Sequence, residues 1–351
     1  MSFMVLEPGD QRWSDMFHAL PHEAQDVFYA PGFAALCQET LPLSQDVRCA
    51  AFASEEGGIL LYPFVRRRTG DIVKDACATG LHDTTSLYGR GGVVGEASEP
   101  DLALFHSALA TYLQDIDVFC SFDRFHPVIG NHALAPPGCA IRDVGGFIVV
   151  DLRPSFADLE ASFKSSVRKD VRKAERNGVT CFSEANCDHL EAFLNIYYKT
   201  MDRNAASDFY YFPKSFFVGL QRHMSGQFHF FYAVYEGEIV SCELVLHHGD
   251  YCHSFLGGTL REALPLAANS LLKIEIFKRM QALDCKYFLL GGGHAPNDGI
   301  FNFKRAYAPD GIKPSFIGGT VLQSDIYARL KEAMRDAGLP TADNRFQFYD
   351  I

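Results

Sequence analysis

The chain has 351 residues, a formal net charge of -11 and a pI near 5.6. That length suits two ordinary domains, and the acidity excludes non-specific binding of a nucleic-acid backbone over a broad face, so any polyanion site must be local. Hydrophobic residues at 48% and charged residues at 21% are the proportions of a soluble globular protein and exclude a disordered chain, while 30 Phe supply volume for large cores or an aromatic-lined cleft.

The first residues, MSFMVLEPGDQRW, have no basic start and no apolar run, so no signal peptide is expected. No stretch has the apolar length of a membrane span, and the ten cysteines are scattered without C-x-x-C or zinc-ligand spacing. A cytoplasmic protein with reduced thiols and no metal is the expectation.

In chain order, "DQRWSDMFHALP" (10–21) and "PGFAALCQETL" (31–41) read as helices. "VRCAAFASEEGGILLYPFVRR" (47–67) is a strand, turn and strand; "DLALFHSALATYLQDI" (101–116) is a helix, followed by the strand "DVFCSF" (117–122). Pro and Gly punctuate "PPGCAIRDVGGFIVVDLRPS" (136–155), which marks a boundary between two halves.

The second half opens with the basic run "SSVRKDVRKAERNGV" (165–179) and the short strand "VTCFSEA" (179–185). Two helices follow, "CDHLEAFLNIYYKTMDR" (187–203), with Leu190, Phe193, Leu194 and Tyr197 at helical spacing, and "PKSFFVGLQRHM" (213–224). Residues 227–259 give three strands joined by turns at Glu236-Gly237 and Gly249-Asp250. "LAANSLLKIEIFKRMQAL" (266–283) is a helix, "KYFLLGGG" (286–293) a strand, "IFNFKRAY" (300–307) a short helix or loop and "PSFIGGTVL" (314–322) a strand. "SDIYARLKEAMRDAG" (324–338) closes the chain as a helix with a Ser N-cap and a Gly stop. The first half repeats part of this element order in a more degenerate form.

Lys164, Arg168, Arg172 and Arg176 recur every fourth residue and fall along one helix face, broadened by Lys169 and Lys173. The stripe reads either as a phosphate-contacting face or as a solvated surface paired with acids elsewhere. Glu243 sits mid-strand in "SCELVL", where a carboxylate is costly unless it is paired or functional. It could take a proton from an amine, hold an ammonium, or form an ion pair with an Arg of the first half. Lys304 lies among Phe301, Phe303 and Tyr307, as an oxyanion-stabilising cation or as a snorkelling surface lysine. His247 and His248 are adjacent on a strand and point to opposite faces, so they cannot readily share a metal.

The element order, with "VRKDVRKAERNGV", "GEIVSCELVLHHGDYCHSFLGGT", "NSLLKIEIFKRMQALDCKYFLLGGG" and "DGIFNFKRAYAP" in that sequence, resembles two copies of the GNAT acyltransferase fold, as in Fem-type aminoacyltransferases and their GNAT-like relatives. "DTTSLYGRGG" is similar to the family's Tyr-Gly-Tyr-Gly-Gly loop, with Arg90 in place of the second Tyr. The resemblance implies an α/β (α+β) fold of two tandem GNAT-like units, each a mixed, mainly antiparallel sheet flanked by helices: residues 1–145 as a degenerate unit, and 146–351 carrying the active cleft, with the last helix packing back on the first. It implies transfer of an acyl or aminoacyl group from an activated carrier to an amine, as in cell-wall or cell-envelope precursor modification. An acyl-coenzyme A N-acetyltransferase acting on an amino sugar or small amine, and a GNAT-fold binding protein without catalysis, are the alternatives. The co-substrate would be acyl-CoA or aminoacyl-tRNA, with no tightly bound cofactor; the partners would be a small-molecule or peptide amine acceptor and a tRNA acceptor end. The helix start "PLAANSLLK" lacks the glycines that favour close approach to pyrophosphate, although its N-terminus can still hold an anion.

On this reading Lys304 stabilises the oxyanion and Glu243 is the base or ammonium anchor. Arg203, Tyr88, Gly292, His294, Asp298 and Phe303 face substrate, and Arg168, Arg172 and Asn269 hold anionic groups or the carrier, Asn269 also being a candidate helix cap.

Overall fold

The computed structural model describes residues 2–40, 46–69, 80–293, 298–339, 341–342 and 345–349. The chain divides into two compact units, one of Met1–Val144 with Ser315–Ile351, the other of Gly145–Pro314. The first boundary falls in the Pro- and Gly-punctuated stretch. Residues 315–351, which the sequence places with the second half, group with the first unit.

In the first unit, β1 (Ser2–Leu6) is followed by α1 (Gln11–Ala19) and α2 (Pro31–Thr40). Then come β2 (Val47–Ala53), β3 (Ile59–Arg68), β4 (His82–Thr85), β5 (Val94–Glu96), α3 (Glu99–Asp115) and β6 (Val118–Arg124). The chain passes through β7 (Ala140–Asp151) into the second unit. There it forms α4 (Phe156–Ser162), α5 (Ser165–Arg176), β8 (Thr180–Glu184), α6 (Leu190–Arg203), α7 (Lys214–His223) and β9 (Phe228–Tyr235). These lead to β10 (Glu238–His248), β11 (Tyr251–Thr259), α8 (Ala268–Gln281), β12 (Tyr287–Gly291) and α9 (Gly299–Arg305). β13 (Ile312–Val321) returns to the first unit, which ends with α10 (Ser324–Asp336). Gln323, not Ser324, is the N-cap of α10.

The two sheets are built to one plan. In the first, strands run β1-β2-β3-β4-β6-β13, antiparallel throughout except for β4 and β6, which are parallel; β5 pairs with β3. In the second the order is β8-β9-β10-β11-β12-β7, again antiparallel except for the parallel pair β11 and β12. In each unit a helix, α3 or α8, connects the parallel strands, as a same-direction crossover requires. The closing strand of each sheet comes from a distant part of the chain: β13 for the first, β7 for the second.

Local chemistry explains the second unit's elements. The β9–β10 turn places Glu236 and Gly237 at φ of +51° and +84°, which a two-residue hairpin of the matching twist demands. α5 buries Val167, Val171 and Ala174 and leaves its basic residues outside. α8 buries residues all round its axis, as a helix inside a core does. Phe163, Val171, Ile274, Phe277, Phe288 and Tyr307 belong to one apolar cluster beneath this sheet. No helix among the described residues is long and apolar enough to cross a membrane, and the nine cysteines among them are free thiols.

Candidate active site

The site grows from a break in the second sheet. β11 and β12 pair over three rungs only, Tyr251–Tyr287, Cys252–Phe288 and His253–Leu289. β11 runs on to Thr259 without β12, so its backbone groups on that side lose their ladder partners. The ladders on either side shift register at the same height, between Leu244 and Val245 of β10 and between Leu289 and Gly291 of β12. Such bulges bend strands and re-aim side chains.

Three charged side chains occupy this parting. Lys273 of α8 donates from Nζ to Glu243 Oε1 at 2.5 Å and to Ser254 Oγ at 3.0 Å, one residue past the last shared rung. Its ammonium also lies 5.6 Å from the centroid of the Phe288 ring. Glu243 and Lys273 are each 4% exposed. Lys304 of α9 donates to the carbonyl of Gly292, just beyond β12, at 2.9 Å. Its pKa is lowered from 10.5 to about 8, first by burial and then by the positive charge of Lys273, with Glu243 and Asp298 acting in the opposite direction. At neutral pH Lys304 is therefore still mostly an ammonium, but one that loses its proton readily.

The glycine run has a structural cause. A Cβ at Gly291, which sits at φ +94°, would lie 2.9 Å from Lys304 Nζ, and one at Gly293 would lie 2.3 Å from Asp298 Oδ1. The missing side chains make room for Lys304 and Asp298. Asp298 is the N-cap of α9, its Oδ1 accepting the Phe301 N–H at 2.7 Å, and so holds the helix that carries Lys304. Tyr307 is buried behind the site beside Ser270, its hydroxyl pKa raised by burial, and packs edge-on to Phe163 and Phe303.

The structure thus brings Lys304, Glu243, Gly292 and Asp298 together. The partner of Glu243 is Lys273 of its own unit; the ion pair with an Arg of the first half is not formed, because the buried lysine one helix away already meets the carboxylate. Phe303 is 37% exposed on the outer side of α9. Arg203 ends α6, where Nη1 donates to the Thr259 carbonyl at 2.8 Å and ties down the end of β11 that β12 does not reach. Asn269 is not the cap of α8: Ala267 holds that position at φ +57°, and Asn269 lies within the first turn.

The basic stripe divides. Arg168 turns back and donates to the carbonyls of Phe163 at 2.6 Å and Ala161 at 3.2 Å, closing the end of α4. Its geometry is that of a structural cap and not of an anion ligand. Arg172 is exposed, with Lys169, Lys173 and Arg176 on the same outer surface. The start of α5 joins the site, because the Lys164 N–H donates to the Ala306 carbonyl at 2.9 Å. His247 and His248 face different partners, His229 at 3.1 Å and Gln227 at 3.1 Å. Tyr88 belongs to the first unit, in a loop whose Gly89 and Gly92 take φ of +107° and +83°; Arg90 in that loop donates to the Phe125 carbonyl at 3.3 Å. His294 lies outside the described residues.

Lys273 escaped the sequence reading. Its signal was a lysine two residues from Glu275 in the apolar run "SLLKIEIF". Two residues on a helix are about 200° apart, so if one charge faces water the other faces the core. Glu275 is the exposed one, paired with Lys278 at 2.8 Å.

Residues 161–305 match the family described as Acetyltransferase (GNAT) domain. No curated protein matches the chain. Among solved structures, the crystal structure of FemX aligns over 94% of this chain and 100% of its own with a TM-score of 0.69 at 12% identity. L-PGS from Bacillus licheniformis aligns over 89% of this chain and 92% of its own, with a TM-score of 0.57 at 14% identity. A tandem GNAT protein from the clavulanic acid biosynthesis pathway aligns over 92% and 98%, with a TM-score of 0.55 at 11% identity. The matched segment runs from the end of α4 to the last residue of α9 and holds Glu243, Lys273 and Lys304, so the parting of β11 and β12 lies inside the stretch that matches the GNAT family model, and the chain as a whole is similar in fold to FemX and the tandem GNAT protein.

Proposed function

We propose that the second unit transfers an acyl or aminoacyl group from a phosphate-bearing carrier, an aminoacyl-tRNA or an acyl-coenzyme A, to an amine. The observation that carries this reading is the half-buried Lys304 ammonium, placed with the buried Glu243–Lys273 pair where two parallel strands stop pairing. The unpaired edge of β11 can hold an amide-bearing carrier by main-chain hydrogen bonds. The acceptor's neutral amine attacks the ester or thioester carbonyl. A C–N bond forms, negative charge gathers on the carbonyl oxygen, and collapse expels the alkoxide or thiolate, which takes up a proton. Lys304 donates to the developing oxyanion inside a site poor in water, where such a contact is strongest.

Glu243 binds the incoming ammonium and accepts its proton through Oε2, which has no hydrogen-bond partner among the described residues, while Lys273 fixes Oε1. The exposed Arg172, Lys173 and Arg176 on α5, a helix that starts at the site, supply a local basic surface for the carrier's phosphates despite the acidic whole. Gly292 supplies the carbonyl that holds Lys304, next to which Phe303 is exposed on α9.

The test is turnover. The chain is incubated with acyl-coenzyme A or charged tRNA and a panel of amines, and new amides are sought by mass spectrometry. Product that disappears in Lys304→Ala supports the reading, and ribonuclease sensitivity identifies the carrier. Ligand binding with no amide from any donor overturns it in favour of a non-catalytic binding protein.

A further inference from the structure

The first unit contains a cavity of about 440 Å3, bounded by α3, β6, β13 and the loop at 134–137, and lined only by residues of that unit. This volume is in the range of small-molecule sites. Its walls are mostly apolar, with Val93, Leu109, Leu113, Phe125 and Pro137 among them. Asp123 is the one acidic residue of the lining, which includes no lysine or arginine. His106 also lines the cavity, and burial lowers its pKa, so it carries no charge at neutral pH.

Asp123 is 7% exposed and accepts hydrogen bonds from Tyr62 and from Ser86 Oγ, each at 3.3 Å. Both contacts are long for O–H···O bonds, and no ion pair to Asp123 is formed among the described residues. Burial accordingly raises its pKa to about 6. A carboxylate kept in an apolar pocket without a cation is a cost to the fold unless something else supplies the positive charge. Ser121 and Thr320 also line the pocket and add hydroxyl groups to its polar lining.

We infer that this cavity binds a compact apolar amine, with the ligand's ammonium on Asp123 and its hydrocarbon or aromatic body against Leu109, Leu113 and Phe125. The site is separate from the proposed transfer site and does not depend on it. An ammonium supplies the positive charge that the pocket lining lacks, and the apolar walls remove its body from water. An anionic ligand would meet Asp123 without a counter-charge.

The experiment is calorimetric titration of the full chain at pH 7.5 with three indoles that differ in one group: tryptamine, tryptophol and indole-3-propionate. Tryptamine should bind roughly tenfold or more tightly than neutral tryptophol, the step a charge-assisted hydrogen bond supplies, and the propionate should not bind. Asp123→Asn should bring tryptamine to within about threefold of tryptophol, and Ala110→Leu, on the α3 wall, should weaken both by about tenfold or more. Equal binding of the three probes, or binding of none, overturns the proposal. So does a tryptamine preference that survives both substitutions, because the amine then sits elsewhere, the transfer site included. The comparison among probes on the unaltered chain keeps the test valid if Asp123→Asn fails to fold.

Discussion

Each unit buries an ion pair that involves the third strand of its sheet, and the two pairs are finished differently. In the first, Arg67 of β3 grips Asp83 of β4 with two parallel bonds, Nε to Oδ1 at 2.9 Å and Nη2 to Oδ2 at 2.7 Å. Gln347 and Tyr349 complete the same carboxylate at 2.8 and 2.7 Å. In the second, Lys273 touches one oxygen of Glu243, and a further lysine, Lys304, stands near with its positive charge only partly offset. A carboxylate saturated by a planar fork and two neutral donors has no capacity for a ligand. One held by a single point charge beside a second cation retains such capacity. The first arrangement pins the C-terminal segment to its sheet; the second is costly for folding and useful for chemistry.

The comparison breaks most sharply at Asp83. Asp83→Ala leaves Arg67 buried without its counter-charge, and a loss of about 3–5 kcal/mol is expected in denaturant unfolding. Replacing the other pair as a unit, with Glu243→Leu and Lys273→Met together, should cost far less stability and abolish turnover. Comparable stability losses in the two variants would mean that both pairs are structural.

Next in size is Lys304. Lys304→Ala should lower kcat on the order of a hundredfold, the usual effect of deleting an oxyanion donor, while stability holds or rises because a desolvated charge has been removed. An unchanged kcat would take Lys304 out of the mechanism.

Its pH dependence sharpens the contrast. The folded-state pKa of Lys304 is depressed to about 8 from 10.5. Between those values the unfolded chain binds a proton that the folded chain does not, so stability rises with pH across that window. The catalytic ammonium is lost across the same window, so the rate falls. Unfolding and rate measurements from pH 7.5 to 10 should move in opposite directions in the unaltered chain. The Lys304→Met variant should lose this part of the stability trend.

Much of this was legible in the sequence because it is local. The hairpins around Glu236-Gly237 and Gly249-Asp250 and the helix read over 187–203, formed over 190–203, follow from turn chemistry and periodicity over a few residues, whereas "IFNFKRAY" read as either a short helix or a loop and forms the helix. Three things were not legible. β7 and β13 close sheets whose other strands lie far away in sequence, and no local pattern records such a partner. Lys273 hides in an apolar helix, and its role exists only once β10 lies opposite. Arg168 shares its spacing with Arg172, and only the short α4 preceding it explains why one turns inward and the other stays in water.

That last pair gives the smallest and most discriminating effect. Arg168 serves the exposed carbonyls at the end of α4, so Arg168→Ala should cost about 0.3–1 kcal/mol, read as a lowered Tm, with KM for the carrier unchanged. Arg172 makes no such contact, and Arg172→Ala should leave stability within about 0.5 kcal/mol. If the outer face of α5 meets phosphates, that same substitution should raise KM for the carrier severalfold at low salt, and the difference should fade as ionic strength rises, because an exposed ion pair is screened beyond about 8 Å at physiological salt. The two arginines sit one helical turn apart in the same repeat, so opposite readouts from them would separate a residue that completes the fold from one that the fold leaves available. A salt-insensitive KM in Arg172→Ala would remove the basic face from carrier binding and leave the strand edge and Lys304 to hold the donor alone.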